Sequence, residues 1–396
     1  MPIVSREPRT RRTTRTTRIA AAGAVAAAAA AILGAAPAAT AATATSPHSG
    51  GRSAGAPVFV QSDNPTANTV LAYHRAADGT LSPSGAYPTG GKGGILDGSQ
   101  VDHLASQGSL AYDRGNGLLY AVNAGSNTLT VFTVHGDHLQ RLQVIGSGGT
   151  FPVSVTFHDN LVYVVNALDG GSLQGFARLG NHLVAVPSWH RALGLDPTAT
   201  PQFTHTPGQV SFTPDGSRLV ITTKAATNSI DVFPVNPLGA PSAHPVVTAV
   251  PDAVPFGFTF DRTGSLQVTE AGPNAVAGFD LTRDSRLVQT HVTATGQLAT
   301  CWVIATGSHL YASNAGSGTL SGYRVDPHGP LTALGTTPTD PGTVDAAAST
   351  DGRDLYVQTG ATGTVDAFRV GPNGSLTAIG SVAVPGGAGG EGIVAG

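Results

Sequence analysis

A short alternating strand, a small polar turn and a second strand, typically led by Thr or Ser and ended by an aromatic, recur seven times along this chain. The closing aromatics are Tyr73, Phe132, Phe176, Phe233, Phe279, Tyr323 and Phe368, spaced by 59, 44, 57, 46, 44 and 45 residues. Spacings at or somewhat above roughly 40–50 residues are those of four-stranded propeller blades. Seven copies therefore predict an all-β, seven-bladed β-propeller. The clearest copies read Leu119-Tyr120-Ala121-Val122-Asn123 then Thr128-Leu129-Thr130-Val131-Phe132, and Leu310-Tyr311-Ala312-Ser313-Asn314 then Thr319-Leu320-Ser321-Gly322-Tyr323. Between them lie Ala124-Gly125-Ser126-Asn127 and Ala315-Gly316-Ser317-Gly318, where Gly and Asn supply the backbone angles of a tight reversal. An apolar strand precedes each hairpin, as in Val153–Phe157 and Gln209–Phe212, and a fourth follows it, as in Leu331–Leu334.

The ends are out of phase with the repeat. Val58-Phe59-Val60 reads as a second strand with no first strand before it, and Gly392-Ile393-Val394-Ala395 as a first strand with no partner after it. Pairing the two closes the ring and removes the long open edge that a sheet must otherwise protect.

Residues 1–18 hold six arginines and one acid, and an Ala-rich apolar stretch from Ile19 to Ala36 leads to small-residue cleavage options at Ala39-Thr40-Ala41 and Ala42-Thr43-Ala44. This is the pattern of a secretory signal peptide over residues 1–44 and predicts an extracellular protein. The general secretion route leads over the twin-arginine route, because Thr13, Thr14 and Arg15 follow Arg11-Arg12 where an apolar pair is needed. A retained membrane anchor is the competing reading. Residues 45–56, rich in Ser, Gly and Pro, read as a disordered lead-in, and 57–396 as the propeller. Six of the 21 basic and one of the 24 acidic residues fall within residues 1–18, so the remainder is formally −8. An acidic chain with two lysines, Lys92 and Lys224, excludes nucleic acid as the expected partner. After signal cleavage no membrane partner is expected, and a monomer is. Cys301 is the single cysteine, so no intramolecular disulfide forms.

Pro207-Gly208-Gln209-Val210-Ser211-Phe212-Thr213-Pro214-Asp215-Gly216 and Thr300-Cys301-Trp302-Val303-Ile304-Ala305, with Tyr311 through Thr319, resemble the lactonase-family seven-bladed propellers, the group containing 6-phosphogluconolactonase and carboxymuconate cyclase, and within it a secreted actinobacterial branch. The resemblance runs from about Val58 to Gly396. It implies the propeller fold and hydrolysis of a lactone or related cyclic ester. It also implies a His on an innermost strand, and the matching positions here are Ser109, Ser154, Gln209 and Gly257.

Aligned on the turn after each innermost strand, Ser109, Ser154, Gln209, Gly257, Trp302 and Asp345 share one level of the central channel, with Glu391 or Gly392 completing the ring. Asp345 interrupts the apolar run Val344 to Ala348. It is either a structural carboxylate or, with Glu391, a catalytic acid–base group. Two long connections, about Tyr87–Gly108 and Pro187–Pro207, account for the two wide spacings. They emerge on one face and carry Lys92, Asp97, Asp102, His103, His190, Arg191, Asp196 and His205; each is either a cap on the channel mouth or a ligand-binding loop. Gln209, Trp302, His205 and His103 are the expected ligand-binding residues, for a small-molecule or carbohydrate ligand. Cys301 reads as a buried, inert thiol. No metal and no cofactor are expected: the sequence has no nucleophile elbow, phosphate loop, dinucleotide fingerprint or metal-ligand spacing. Two functions compete, a lactonase-type hydrolase and a non-catalytic binding or scaffold propeller, because a fold does not fix an activity.

Overall fold

The computed structural model describes residues 56–326 and 329–396. The signal peptide expected over 1–44 and nearly all of the lead-in lie outside the described residues. Seven antiparallel sheets form seven blades. Their innermost strands are Ile393–Ala395, Leu110–Asp113, Pro152–His158, Gln209–Phe212, Pro255–Phe260, Thr300–Thr306 and Thr343–Ala348 for blades 1 to 7. Each contacts the innermost strand of the next blade, and the series returns on itself as a ring. Among the described residues no helix is long and apolar enough to cross a membrane.

Blade 1 is the seam. Pro57–Gln61 pairs with Ile393–Ala395 in the register Val58 to Ala395, Phe59 to Val394 and Val60 to Ile393. The ladder continues at both ends through Gly396 N–H to Pro57 O (2.7 Å) and Gln61 N–H to Gly392 O (2.8 Å). The expected closure of the ring by the C-terminal strand is therefore present.

Second and third strands are apolar on both faces because each is sandwiched between neighbouring blades. Leu118–Asn123, for example, is buried throughout, whereas the outermost strand Leu287–Ala294 is largely exposed. All seven closing aromatics are at most 2% exposed. In blades 1, 2, 5, 6 and 7 the register with the outermost strand slips immediately before that aromatic. A bulge there adds twist, which bends the outer strand away from the crowded inner sheet.

A second set of aromatics ties blades together. Tyr163, Tyr311 and Tyr356, on second strands, donate their hydroxyls to the carbonyls of Gly239, Gly374 and Gly79, each in the outer hairpin turn of the following blade, with Tyr311 and Tyr356 both at 2.9 Å. These glycines have φ between 80° and 88°, so their turns favour a residue without Cβ. Tyr120 is the corresponding residue of blade 2, but its buried hydroxyl has no partner. Arg75 of blade 1 and Arg369 of blade 7 both meet the buried carboxylate of Asp354, which adds an ionic tie across the seam.

Candidate functional site at the plugged channel mouth

The connection after blade 1 descends into the mouth of the channel and fills it. Leu96 and Leu104 are fully buried there, and the polar groups around them bond to blades on every side. Ser106 Oγ donates to Val153 O at 2.9 Å. The Gln107 amide exchanges bonds with Val303 N and O at 3.0 and 2.9 Å, and its backbone N–H reaches Gly208 O at 3.0 Å. His103 N–H donates to Gly389 O at 2.8 Å. Asp102 holds the turn together by accepting Leu104 N–H and Ser106 N–H, both at 2.8 Å.

Lys224 secures the plug from blade 4. It sits in the hairpin turn after Arg218–Thr222 with φ of 50°, which turns its side chain inward. Its ammonium donates to Ala105 O and Phe203 O at 2.6 Å and to Thr206 Oγ1 at 3.0 Å, and lies 5.3 Å from the centroid of the Phe256 ring. Burial pushes the ammonium down to about 7, while Asp102 pulls it up. All three of its protons have acceptors, and those acceptors belong to both long loops.

Beneath the plug lie three buried carboxyls, Glu391, Asp345 and Asp63. Glu391 Oε1 accepts Gly108 N–H at 2.7 Å and Ser109 N–H at 3.3 Å. Asp345 Oδ1 accepts Ala346 N–H at 2.9 Å, while Glu391 Oε2 is buried without a hydrogen-bond partner among the described residues. The two charges repel in this buried space, so ionising one disfavours ionising the other. Burial drives both upward, and each is raised further by the Asp102 charge. Asp63 accepts Glu391 N–H at 2.8 Å and the Gln61 amide, and burial raises it to about 7. Asp102, within the plug itself, is likewise raised chiefly by burial.

The two carboxyls singled out in the sequence, Asp345 and Glu391, thus come together, at 4% and 0% exposure. No Lys, Arg or His is among their hydrogen-bond partners. Of the other residues at that level, Ser109 Oγ donates to Glu391 O (2.8 Å), Ser154 Oγ accepts Val210 N–H (3.2 Å), and Gln209 Oε1 accepts Phe258 N–H (2.7 Å). Each bond links one blade to the next, so the polar ring is stitching between blades. Asp63, Lys224, Ser106 and Gln107 escaped the sequence reading. The available signal was Lys224 itself, one of two lysines beyond the leader, at a turn position that holds Ala in blades 2 and 6.

Trp302 takes part in a different feature. Its indole N–H donates to Ser106 O at 2.6 Å, and its ring meets Phe256 edge-on with centroids 5.0 Å apart. With Phe203 and Cys301, and with Val101 and Ala105 of the plug, these rings line a cleft of about 140 Å³ on the loop face. Burial raises the Cys301 thiol to about 12, which keeps it protonated and unreactive. Gln209, Asp345 and Glu391 are not among the cleft's lining residues. His103 is half-buried against Gly389, and burial lowers its ring. His205 faces Pro201 O (3.0 Å) and Thr204 beside Ala167–Gly170 and is not in the cleft. The asparagines after second strands brace their hairpins, as with Asn123 to Thr130 Oγ1 (2.9 Å) and Asn314 to Ser321 Oγ (3.0 Å). Among the described residues no three His, Cys, Asp or Glu side chains gather as a metal site needs.

No protein-family model matches the chain, and no curated protein sequence does. Solved structures do. The periplasmic gluconolactonase of Pseudomonas aeruginosa superposes with a TM-score of 0.69 at 18% identity, over 86% of this chain and 98% of that one. A candidate 6-phosphogluconolactonase of Bacteroides fragilis gives 0.68 at 18% identity, over 88% and 100%. A protein from Lactobacillus plantarum gives 0.70 at 17%, over 86% and 99%. At such identities the likeness is one of fold: this chain is a seven-bladed β-propeller structurally similar to gluconolactonase and candidate 6-phosphogluconolactonase propellers.

Proposed function

We propose that the protein is an extracellular, lactonase-like propeller that binds a small molecule on its loop face without hydrolysing it. The observation that carries this reading is the plug. Water and a cyclic ester must both reach a general base, yet Asp345 and Glu391 lie beneath a loop bonded to blades 1, 3, 4 and 6. Glu391 Oε1 and Asp345 Oδ1 are engaged by backbone N–H groups. The ring position where the resembling enzymes carry His is occupied by residues that stitch blades together. The arginine-rich, Ala-rich leader of residues 1–44 is the support for export.

One observation favours the competing hydrolase reading. Two neighbouring buried carboxyls that repel each other's charge can supply both an acid and a base, the division of labour that acyl and glycosyl hydrolysis require. A screen of sugar, alkyl and aryl lactones with purified residues 45–396, with and without chelator, separates the two. The expected result is turnover no faster than with Asp345→Asn. Robust hydrolysis that falls by roughly 10²–10⁴ in Asp345→Asn identifies that carboxyl as a general base and overturns the binding reading.

A further inference from the structure

We propose that the cleft over Trp302 is a binding site for a benzene-sized aromatic group, held by shape and ring contacts alone; this rests on the binding reading and names its ligand class. Three independent features of the walls converge on that occupant.

The first is that no polar group on the walls is left to recruit a polar ligand. The Trp302 N–H is spent on Ser106 O, both Asp102 oxygens accept backbone N–H groups, and the Cys301 thiol is held protonated by burial. A sugar or carboxylate entering here would lose its water and find no replacement, a loss of the kind that hydrogen-bonding sites are built to avoid.

The second is size. The cleft measures about 140 Å³. An apolar cavity of about 150 Å³ stays dry and accepts benzene, while whole drug-sized ligands need about 300 Å³ or more. The cleft therefore takes one ring of a ligand, and the remainder of a larger molecule lies outside, across Ser99 and exposed Gln100 at the rim.

The third is the disposition of the rings. Phe256 and Trp302 already form an edge-to-face pair at 64°, and Phe203 faces them from the second loop. A fourth ring placed against these three extends the same arrangement, which aromatic quadrupoles favour. Leu298, next to the lining residue Ala299, is 62% exposed and continues the apolar surface outward.

The chain's two tryptophans make the test direct. In Trp189→Phe, whose replacement ring keeps the stack on Tyr163, Trp302 is the sole indole. Titrating this protein with iodobenzene should quench Trp302 fluorescence saturably, with a dissociation constant on the order of 0.1 mM for a ligand of this size. Filling the cleft with Ala315→Phe, or independently with Ala299→Leu, should weaken binding at least tenfold, while 50 mM glucose leaves the curve unchanged. Quenching that rises linearly without saturation overturns the proposal. So does saturable quenching that is undiminished in whichever filled variant melts like its parent, and so does displacement by glucose. Such a failure leaves the wider binding reading intact, because lactone turnover is what removes that one.

Discussion

Raising the pH from 4 to 8 should loosen this protein, and Asp63 allows the loss to be sized. Its carboxyl is fully buried, and burial outweighs the bonds from Gln61 and Glu391 to raise it from 3.8 to about 7. Between those two values the folded chain holds a proton that the unfolded chain has released. The native state therefore binds more protons, and stability falls as the pH rises from about 4 to about 7. Below that window both states are protonated and above it both are ionised, so the slope vanishes at each end. A rise of about three pH units at 1.36 kcal/mol per unit amounts to roughly 4 kcal/mol. A domain of roughly 340 residues unfolds with an entropy near 0.7 kcal/mol/K, so Asp63 alone lowers the melting temperature by about 6 °C across the window. Asp102, Asp345 and Glu391 are raised as well and steepen the fall. Half-buried His103, lowered by burial, acts in the opposite sense below its ordinary value of 6.5, and Lys224 acts in the opposite sense only above about 7. Scanning calorimetry from pH 4 to 8.5 on the wild type and Asp63→Asn measures the effect. The wild type should melt at least 6 °C lower at pH 7.5 than at 4.5, and Asp63→Asn should flatten the slope. A melting temperature that is level or climbs over that interval would show that these carboxyls ionise in place, and the reasoning would fail.

Deleting Glu391–Gly396 removes the closing ladder, the buried Ile393 and Ala395 side chains, and the Glu391 anchor of the plug; the loss is on the order of 5 kcal/mol or more, comparable with the whole stability of a typical domain. The expected outcome is a broad, early thermal transition, checked by circular dichroism, and an unchanged transition would refute closure by this strand. Lys224→Met should free the plug at one end by leaving Ala105 O and Phe203 O without a donor, destabilising the fold by about 2–4 kcal/mol in urea titrations. Tyr356→Phe should cost about 1 kcal/mol by orphaning Gly79 O, whereas Tyr120→Phe, which removes an unpartnered buried hydroxyl, should be neutral or stabilising in the same assay.

The readability of this chain divides along the range of the interactions. The blades were legible because each depends on neighbours within about 45 residues: a Gly or Asn turn, an alternating strand, a closing aromatic. The seam was legible from the mismatch between Val58–Val60 and Ile393–Ala395, since a repeat that is one strand short at one end and one long at the other admits one closure. Asp345 stood out because it breaks an apolar run, and Glu391 because it completes the ring count. The plug was not legible. Ser106, Gln107 and Lys224 act through a few hydrogen bonds each, to residues as far as 196 positions away, and such pairings leave no periodic trace. Asp63 was hidden for a related reason: it lies just past a strand in a stretch that reads as an ordinary polar turn, and only the return of the C-terminal segment buries it.

The seam also bears on when the molecule can form. The strand that completes blade 1 follows all six other blades in chain order, so during vectorial synthesis the first hairpin must wait, unpartnered, until everything between has emerged. Closure is then the last event, and it brings with it the Glu391 carboxyl that anchors the plug. A chain built in this way remains an open arc until that strand arrives, so no ring can set while the six other blades are still being made.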